Sequence, residues 1–362
     1  EKPPIGIFMR EWLTLYNSKS GERGIYNRQS AVEKSLENGR RNPDYDFGTN
    51  PCSEIILRPY QFCNLTEVVV RSDDTIKDLE RKVRLATILG TFQSTLTDLK
   101  YLRKIWKDNT EEERLLGVSL TGIMDNELLN TASAGYLSDL LSQLKQVAVD
   151  TNLGLSEQLG IPQSTAITCV KPSGTVSQLV DSASGIHARH SEYYIRTVRG
   201  DKKDPLTQFM QSAGVPVEDD IMQPDSTVVF SFPVRSPKKA VTRNDTGALE
   251  QLNLWLKYQK NWCEHKPSVT ITVKEDEWLD VGAWVYENFN DVAGISFLPH
   301  SDHTYKQAPY QECTKEEYLA LKKRMPKNIN WQDLSELEKE DSTRGGQELA
   351  CTADSCEIVD IT

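Results

Sequence analysis

Asn50-Pro51-Cys52-Ser53-Glu54-Ile55-Ile56-Leu57 places a carboxamide, a thiol and a carboxylate within five residues, directly before an apolar run. Pro43 and Gly48 break the chain ahead of it, so it reads as a turn feeding a short buried segment. A lone cysteine in such a place is most often a packed thiol. In an extended loop, however, residues 50, 52 and 54 alternate onto one face. That puts a hydrogen-bonding amide, a sulfur reagent and an acid/base on one side, a set suited to radical or nucleophilic work on a polyol.

Working outward, Cys63 follows eleven residues later in Tyr60-Gln61-Phe62-Cys63-Asn64-Leu65-Thr66-Glu67, a distance that allows a return strand beside the first loop. Residues 75–106 then read as one long amphipathic helix, with Ile76, Leu79, Val83, Ala86 and Leu89 at helical spacing. A second helix is expected from about Tyr136 to Leu159, with Leu137, Leu140, Leu141, Leu144 and Val147 on one face. β-Branched runs at 166–170, 227–232, 269–273 and 295–298 alternate with helical patterns at 246–264, 276–289 and 315–324. The last of these opens with a Thr314-x-x-Glu317 capping box. Strands alternating with helices of this length predict crossover units and a largely parallel α/β sheet, flat or closed into a barrel.

The run at 166–170 leads into Lys171-Pro172-Ser173-Gly174-Thr175-Val176-Ser177. Small hydroxyl residues around a glycine, between strand and helix, can cradle phosphate through N–H groups and hydroxyls. The loop lacks the Walker pattern, and alone it is a weak signal.

From about Lys327 apolar periodicity fades, and Ser342-Thr343-Arg344-Gly345-Gly346 reads as a hinge before Cys351-Thr352-Ala353-Asp354-Ser355-Cys356. Residues 332–362 hold nine acids against two bases, and so carry seven of the eleven net negative charges on this 362-residue chain. Two thiols behind a glycine hinge suit thiol–disulfide exchange with a disulfide elsewhere.

The acidic balance, 53 acids against 42 bases, argues against nucleic acid as a partner. No apolar run approaches the roughly 18 to 20 residues of a spanning helix, and no signal-like segment opens the chain. Seven cysteines, an odd count, argue against a secreted disulfide scaffold. We therefore expect a cytoplasmic, reduced protein with neither membrane nor nucleic-acid partner. No metal site is expected: there is no Cys-x-x-Cys, and His187/His190 and His300/His303 lack a nearby third ligand. Cys169, Cys263 and Cys313 read as packed thiols.

Together the Asn50–Ile55 motif, Cys63 eleven residues beyond Cys52, the Lys171–Thr175 loop and the terminal Cys-x4-Cys resemble the C-terminal half of an adenosylcobalamin-dependent (class II) ribonucleotide reductase. The monomeric ribonucleoside-triphosphate reductase type is the nearest. Gly24-Ile25-Tyr26-Asn27-Arg28 and Phe297-Leu298-Pro299 extend the resemblance over nearly the whole chain. It implies the C-terminal part of a ten-stranded α/β barrel with a central finger loop (residues 1–326), followed by a flexible acidic tail with a redox-active dithiol (327–362). It implies that Cys52 is the thiyl residue removing the ribose 3′ hydrogen, Glu54 the base on the 3′ hydroxyl and Asn50 a substrate hydrogen-bonding group. Cys63 becomes one of two reducing thiols. Pro172, Ser173, Gly174, Thr175 and Ser177 become the substrate-phosphate site. Cys351 and Cys356 re-reduce the active-site disulfide at the expense of thioredoxin. The implied cofactor is adenosylcobalamin and the implied substrate a ribonucleotide, by subtype a triphosphate.

No cysteine precedes Cys52, whereas the family's second reducing cysteine lies far upstream, so the chain is expected to be a fragment. A class I large subunit acting on diphosphates is the alternative. It places the second cysteine at a longer interval and needs paired tyrosines near the C-terminus, while Tyr193-Tyr194 lies far from the tail. A non-catalytic nucleotide-binding relic has no reason to keep all six of Asn50, Cys52, Glu54, Cys63, Cys351 and Cys356.

Overall fold

The computed structural model describes residues 2–21, 23–133, 135–300, 306–338, 347–352 and 355–360. The chain divides into two units, Glu1–Arg189 with Lys238–His300, and His190–Pro237 with Ser301–Thr362.

In the first unit the β-branched runs become parallel strands. Asn64–Val69, Leu116–Thr121 and Thr168–Cys169 form a three-stranded parallel sheet. Thr270–Val273 and Ile295–Pro299 pair parallel, and Gly24–Ile25 joins the latter antiparallel, with Gly24 opposite Ser296. A parallel bridge between Val170 and Pro267 connects the two sheets. There Val170 N–H donates to Lys266 O at 3.2 Å and Ser268 N–H to Val170 O at 2.8 Å. Five parallel segments thus lie side by side in chain order. Leu116–Thr121 is buried at every position, as a parallel strand covered on both faces must be.

Helices make the crossovers. Ile76–Gln93 starts at a capping box between Thr75 and Asp78 and buries Leu79, Val83 and Ala86. It approaches the central strand so closely at Gly90 that a Cβ there would meet the Leu116 side chain at 3.2 Å. Leu137–Leu159 buries Leu137, Leu140, Leu141 and Leu144. Ala248–Asn261 buries Leu252, Trp255 and Tyr258, and Trp278–Glu287 buries Val281 and Val285. With Phe8 and Trp12 of the Ile5–Ser18 helix, these side chains join Val68, Val118, Leu120, Ile271 and Phe297 in one apolar core. Burial of that kind contributes about 1.5–3 kcal/mol per large side chain and holds the strand ends, where the motifs lie, in fixed register.

Two expectations change. The helix over 75–106 ends at Gln93, and a separate helix occupies Lys104–Glu113. The Ser94 and Thr95 hydroxyls bond back to the carbonyls of Thr91 and Phe92, offering the backbone an alternative to the helix ladder just where the apolar stripe continues. The run at 227–232 is not part of a parallel sheet. It belongs to Thr227–Arg235 in the second unit, in an all-antiparallel sheet ordered Tyr310–Glu312, Tyr193–Asp201, Thr227–Arg235, Val217–Asp219. Only the short helix Pro205–Ser212 and the three-residue strand separate its two long strands, so the chain returns by reversal rather than by crossover.

Among the described residues no helix is long and apolar enough to cross a membrane. Among the same residues no group of three or more His, Cys, Asp or Glu side chains is arranged to hold a metal ion.

Candidate active site

Gly48–Thr49 and Ile56–Leu57 pair antiparallel, Thr49 opposite Ile56, and the segment between them is a tight turn rather than an extended loop. Ser53 N–H closes it onto Asn50 O at 2.9 Å, and Ser53 sits at φ 66°. A non-glycine residue in that region costs energy unless its surroundings impose it. Here they do. Lys266 Nζ donates to Ser53 Oγ at 2.9 Å, Ser268 Oγ donates to Cys52 O at 2.6 Å, and Lys266 N–H donates to Glu54 O at 3.0 Å. Gly294 leaves the space for this clasp, since a Cβ there would lie 2.5 Å from Ser53 Oγ.

The turn joins Asn50 to Glu54 directly. Asn50 Nδ2 donates to Glu54 Oε2 at 2.7 Å while its Oδ1 accepts from Ile55 N–H at 3.0 Å. Glu54 is buried, with 2% of its surface exposed, whereas Cys52 is exposed. The one-face alternation expected for residues 50, 52 and 54 therefore gives way to a carboxamide–carboxylate pair beneath an outward thiol.

The return arm of the hairpin is fixed by a buried ionic cluster. Arg41 donates from Nε and Nη2 to the two oxygens of Glu113 at 2.9 and 2.8 Å, and from Nη1 to Ile56 O at 2.9 Å. Arg58 Nη2 lies 2.9 Å from Glu113 Oε1, and Gln61 Nε2 donates to Glu113 Oε2 at 2.6 Å. His265 Nδ1 accepts from Ile56 N–H and its Nε2–H donates to Leu116 O. Burial pushes that imidazole down to about 3, so it works as a neutral tether.

Gln61 leads to Cys63, at the mouth of the Asn64–Val69 strand. Burial raises the Cys63 thiol well above its ordinary range. The Arg41 charge opposes this and the Glu54 charge adds to it, so the sulfur is a protonated thiol within the electrostatic reach of Glu54. Four residues along the strand, Glu67 meets the Lys171–Ser177 loop. Ser173 Oγ donates to Glu67 Oε2 at 2.9 Å, and Lys171 Nζ lies 3.0 Å from Glu67 Oε1. Gly174 and Thr175 are exposed, while Ser177 is buried with its Oγ 2.7 Å from Ser184 Oγ.

The structure thus brings the Asn50–Glu54 turn, Cys63 and the 171–177 loop into one unit. Lys266-Pro267-Ser268 grips the turn on one side and pairs with Val170, directly before Lys171, on the other. Cys351 and Cys356 belong to the second unit, on Gln347–Thr352 and Ser355–Asp360, which pair antiparallel with the two cysteine positions opposite each other. The expected hinge at 342–346 lies outside the described residues. Cys169 and Cys263 are buried and Cys313 half-buried. His187 is structural: its Nδ1–H donates to Ser184 O and its Nε2 accepts from Thr270 N–H, both at 3.0 Å.

Sequence reasoning missed Lys266, Ser268 and Glu67. The available signal was a lysine just before the apolar 269–273 run, in a stretch that otherwise reads as buried. Lys266 is fully buried, 4.6 Å over the Tyr26 ring, and burial lowers its ammonium from 10.5 to about 7 against the opposing pull of Glu54. Between these values the unfolded chain holds the extra proton. Stability from this residue is therefore present above about 10.5 and lost as pH falls through about 7. Lys266→Met is expected to flatten the wild-type gain in unfolding free energy from about pH 7 to 9. Urea unfolding of both proteins across that range checks it, and parallel profiles would contradict it.

No family model matches the chain. It is 30% identical over 353 residues to the adenosylcobalamin-dependent ribonucleoside-triphosphate reductase of Euglena gracilis, covering 93% of this chain and 46% of that protein. It is 30% identical over 325 residues to a probable enzyme of the same name from Dictyostelium discoideum, covering 86% and 40%. With the enzyme of that name from Lacticaseibacillus paracasei it shares 26% over 340 residues, 84% and 44%. The chain spans about half the length of the curated relatives it matches. A crystal structure of B-12 dependent (class II) ribonucleotide reductase superimposes with a TM-score of 0.73 at 22% identity, over 91% of this chain and 50% of that one, which shows a shared fold.

Proposed function

We propose, on the premise that this chain is homologous to one half of the adenosylcobalamin-dependent ribonucleoside-triphosphate reductases, that it is the part of such an enzyme that carries the thiyl residue and the substrate-phosphate loop. The observation that carries the reading is the convergence on Lys266–Ser268 of the Cys52 turn and the strand end leading into Lys171. In this reading the five parallel segments are half of a ten-stranded barrel, and the Asn50–Glu54 turn is its finger loop.

Loss of a 2′ hydroxyl is difficult from a closed-shell sugar and easier once C3′ is a radical. Cys52 sits exposed at the turn's tip, where a thiyl sulfur can take the 3′ hydrogen and return it at the end. Glu54, held by Asn50, takes the 3′ hydroxyl proton as the 2′ hydroxyl leaves as water. Two electrons and two hydrogens come from a thiol pair that ends as a disulfide, and Cys63, kept protonated by burial, supplies one of them. Asn50 and the exposed Gly174–Thr175 backbone orient sugar and phosphates. Cys351 and Cys356 pass electrons from thioredoxin by disulfide exchange.

Adenosylcobalamin, when bound, supplies the radical that starts the cycle. Cys52 fits that requirement as an exposed cysteine at the tip of the turn. No further residue of this chain is assigned to the cofactor.

The test uses the whole reading frame that encodes this chain, assayed anaerobically for CTP to dCTP conversion with adenosylcobalamin and dithiothreitol. Cobalamin-dependent product is expected. Product that instead needs an iron-containing subunit moves the protein to class I, and nucleotide binding without product under either condition favours the relic.

A further inference from the structure

Two residues of the 171–177 loop, Lys171 and Ser173, converge on an anion that belongs to the protein. The Glu67 side chain is 8% exposed, and each of its oxygens meets one loop group: Oε1 forms an ion pair with Lys171 Nζ at 3.0 Å without hydrogen-bond geometry, and Oε2 accepts from Ser173 Oγ at 2.9 Å. The loop's backbone is shaped to the contact. Lys171 N–H donates to Ser119 Oγ at 2.8 Å, on the residue paired in register with Glu67, and Ser173 is held at φ 58°. An ammonium and a hydroxyl converging on two oxygens of one anion is also the donor set that a phosphate group takes. Beside them Gly174 faces open space.

We propose that Glu67 takes within the loop the place of a phosphate group, and that a polyphosphate ligand takes Lys171 and Ser173 over from it. Lys171 is thereby a substrate-phosphate contact, and Glu67 sets the affinity by competing for the same two donors. The inference rests on reading 171–177 as the phosphate loop. The carboxylate does not leave the site on binding. It loses its two partners and lies beside a ligand of like charge, so it opposes binding, whereas its neutral isostere does not.

The test is titration calorimetry of CTP and of inorganic tripolyphosphate onto the whole protein whose reading frame encodes this chain, at fixed, moderate ionic strength. It compares wild type, Glu67→Gln, Lys171→Met and Lys171→Arg, with thermal unfolding of each as a check on the fold. Removing one negative charge beside a polyphosphate is expected to tighten both ligands about ten-fold in Glu67→Gln. Lys171→Met is expected to weaken both about ten-fold, and Lys171→Arg to restore most of that loss. Equal or weaker binding by a folded Glu67→Gln overturns the competition and leaves the phosphate loop standing. Unchanged binding by Lys171→Met removes the lysine from the site, and this arm decides on its own should Glu67→Gln not fold. No binding of either ligand by any of the proteins overturns the phosphate-loop reading, and the inference falls with it.

Discussion

Glu113→Ala is expected to destabilise the first unit by about 3–5 kcal/mol, the cost of leaving buried charges without their partner. Glu113 is 0% exposed and receives two bonds from Arg41, one from Arg58 and one from Gln61. Both arginines are buried, with side chains 1% and 2% exposed. Alanine takes this partner from two guanidiniums. Neither can neutralise itself by losing a proton, as a buried lysine would. Arg58 keeps its second partner, Glu112, at 2.9 Å, and its stacking on Tyr45, so most of the loss falls on Arg41. Arg41 holds Ile56 O, so the return arm of the Cys52 hairpin should loosen together with the global fold. Urea unfolding measures the change, and a loss below about 1 kcal/mol would show that the cluster is not the support described here.

Cys52→Ala is expected to abolish product formation in the whole protein while leaving stability within about 0.5 kcal/mol of wild type, as for other exposed positions. The turn's identified anchors are the Asn50 side chain, the Ser53 hydroxyl and backbone, and the Cys52 carbonyl, all of which survive the change. What goes is the sulfur. Neither Cys63 nor Cys169 can substitute in place, because Cys63 is lodged at a strand mouth and Cys169 is buried with its thiol raised by that burial. Residual turnover above about one part in a hundred, with unfolding unchanged, would remove Cys52 from the role assigned to it. A loss that tracks unfolding would make the effect structural.

Several helices were legible because they announce themselves locally. The leucine stripe of 137–159 and the Thr314-x-x-Glu317 box end within a residue or two of the expected bounds. The break after Gln93 was not legible from periodicity, since hydroxyl side chains ended a helix that apolar spacing would have continued. The antiparallel sheet of the second unit was hidden for a related reason: a β-branched run does not say whether its partner arrives by crossover or by reversal. At the candidate site, the motif residues were visible as a set, but their supports were not. Lys266 and Ser268 reach the turn across more than 200 residues of sequence, and Glu67 reaches Ser173 across more than 100. Those contacts exist only because Val170 pairs with Pro267 and Asn64–Val69 lies beside Leu116–Thr121. Spacing within a motif carries no information about such pairings. The turn itself differed from the expected extended loop because clasping Ser53 and Glu54 from below requires a reversal at Asn50–Ser53.

The central claim, that the Cys52 sulfur removes the ribose 3′ hydrogen, is tested most directly by substrate deuterated at C3′. In the whole protein, supplied with adenosylcobalamin and dithiothreitol, breaking the C3′–H bond at Cys52 predicts a slower rate with the deuterated nucleotide, deuterium retained at C3′ of the product, and no product from Cys52→Ala. Product formed by Cys52→Ala at the wild-type rate, or the loss of deuterium to solvent from every product molecule, would contradict it.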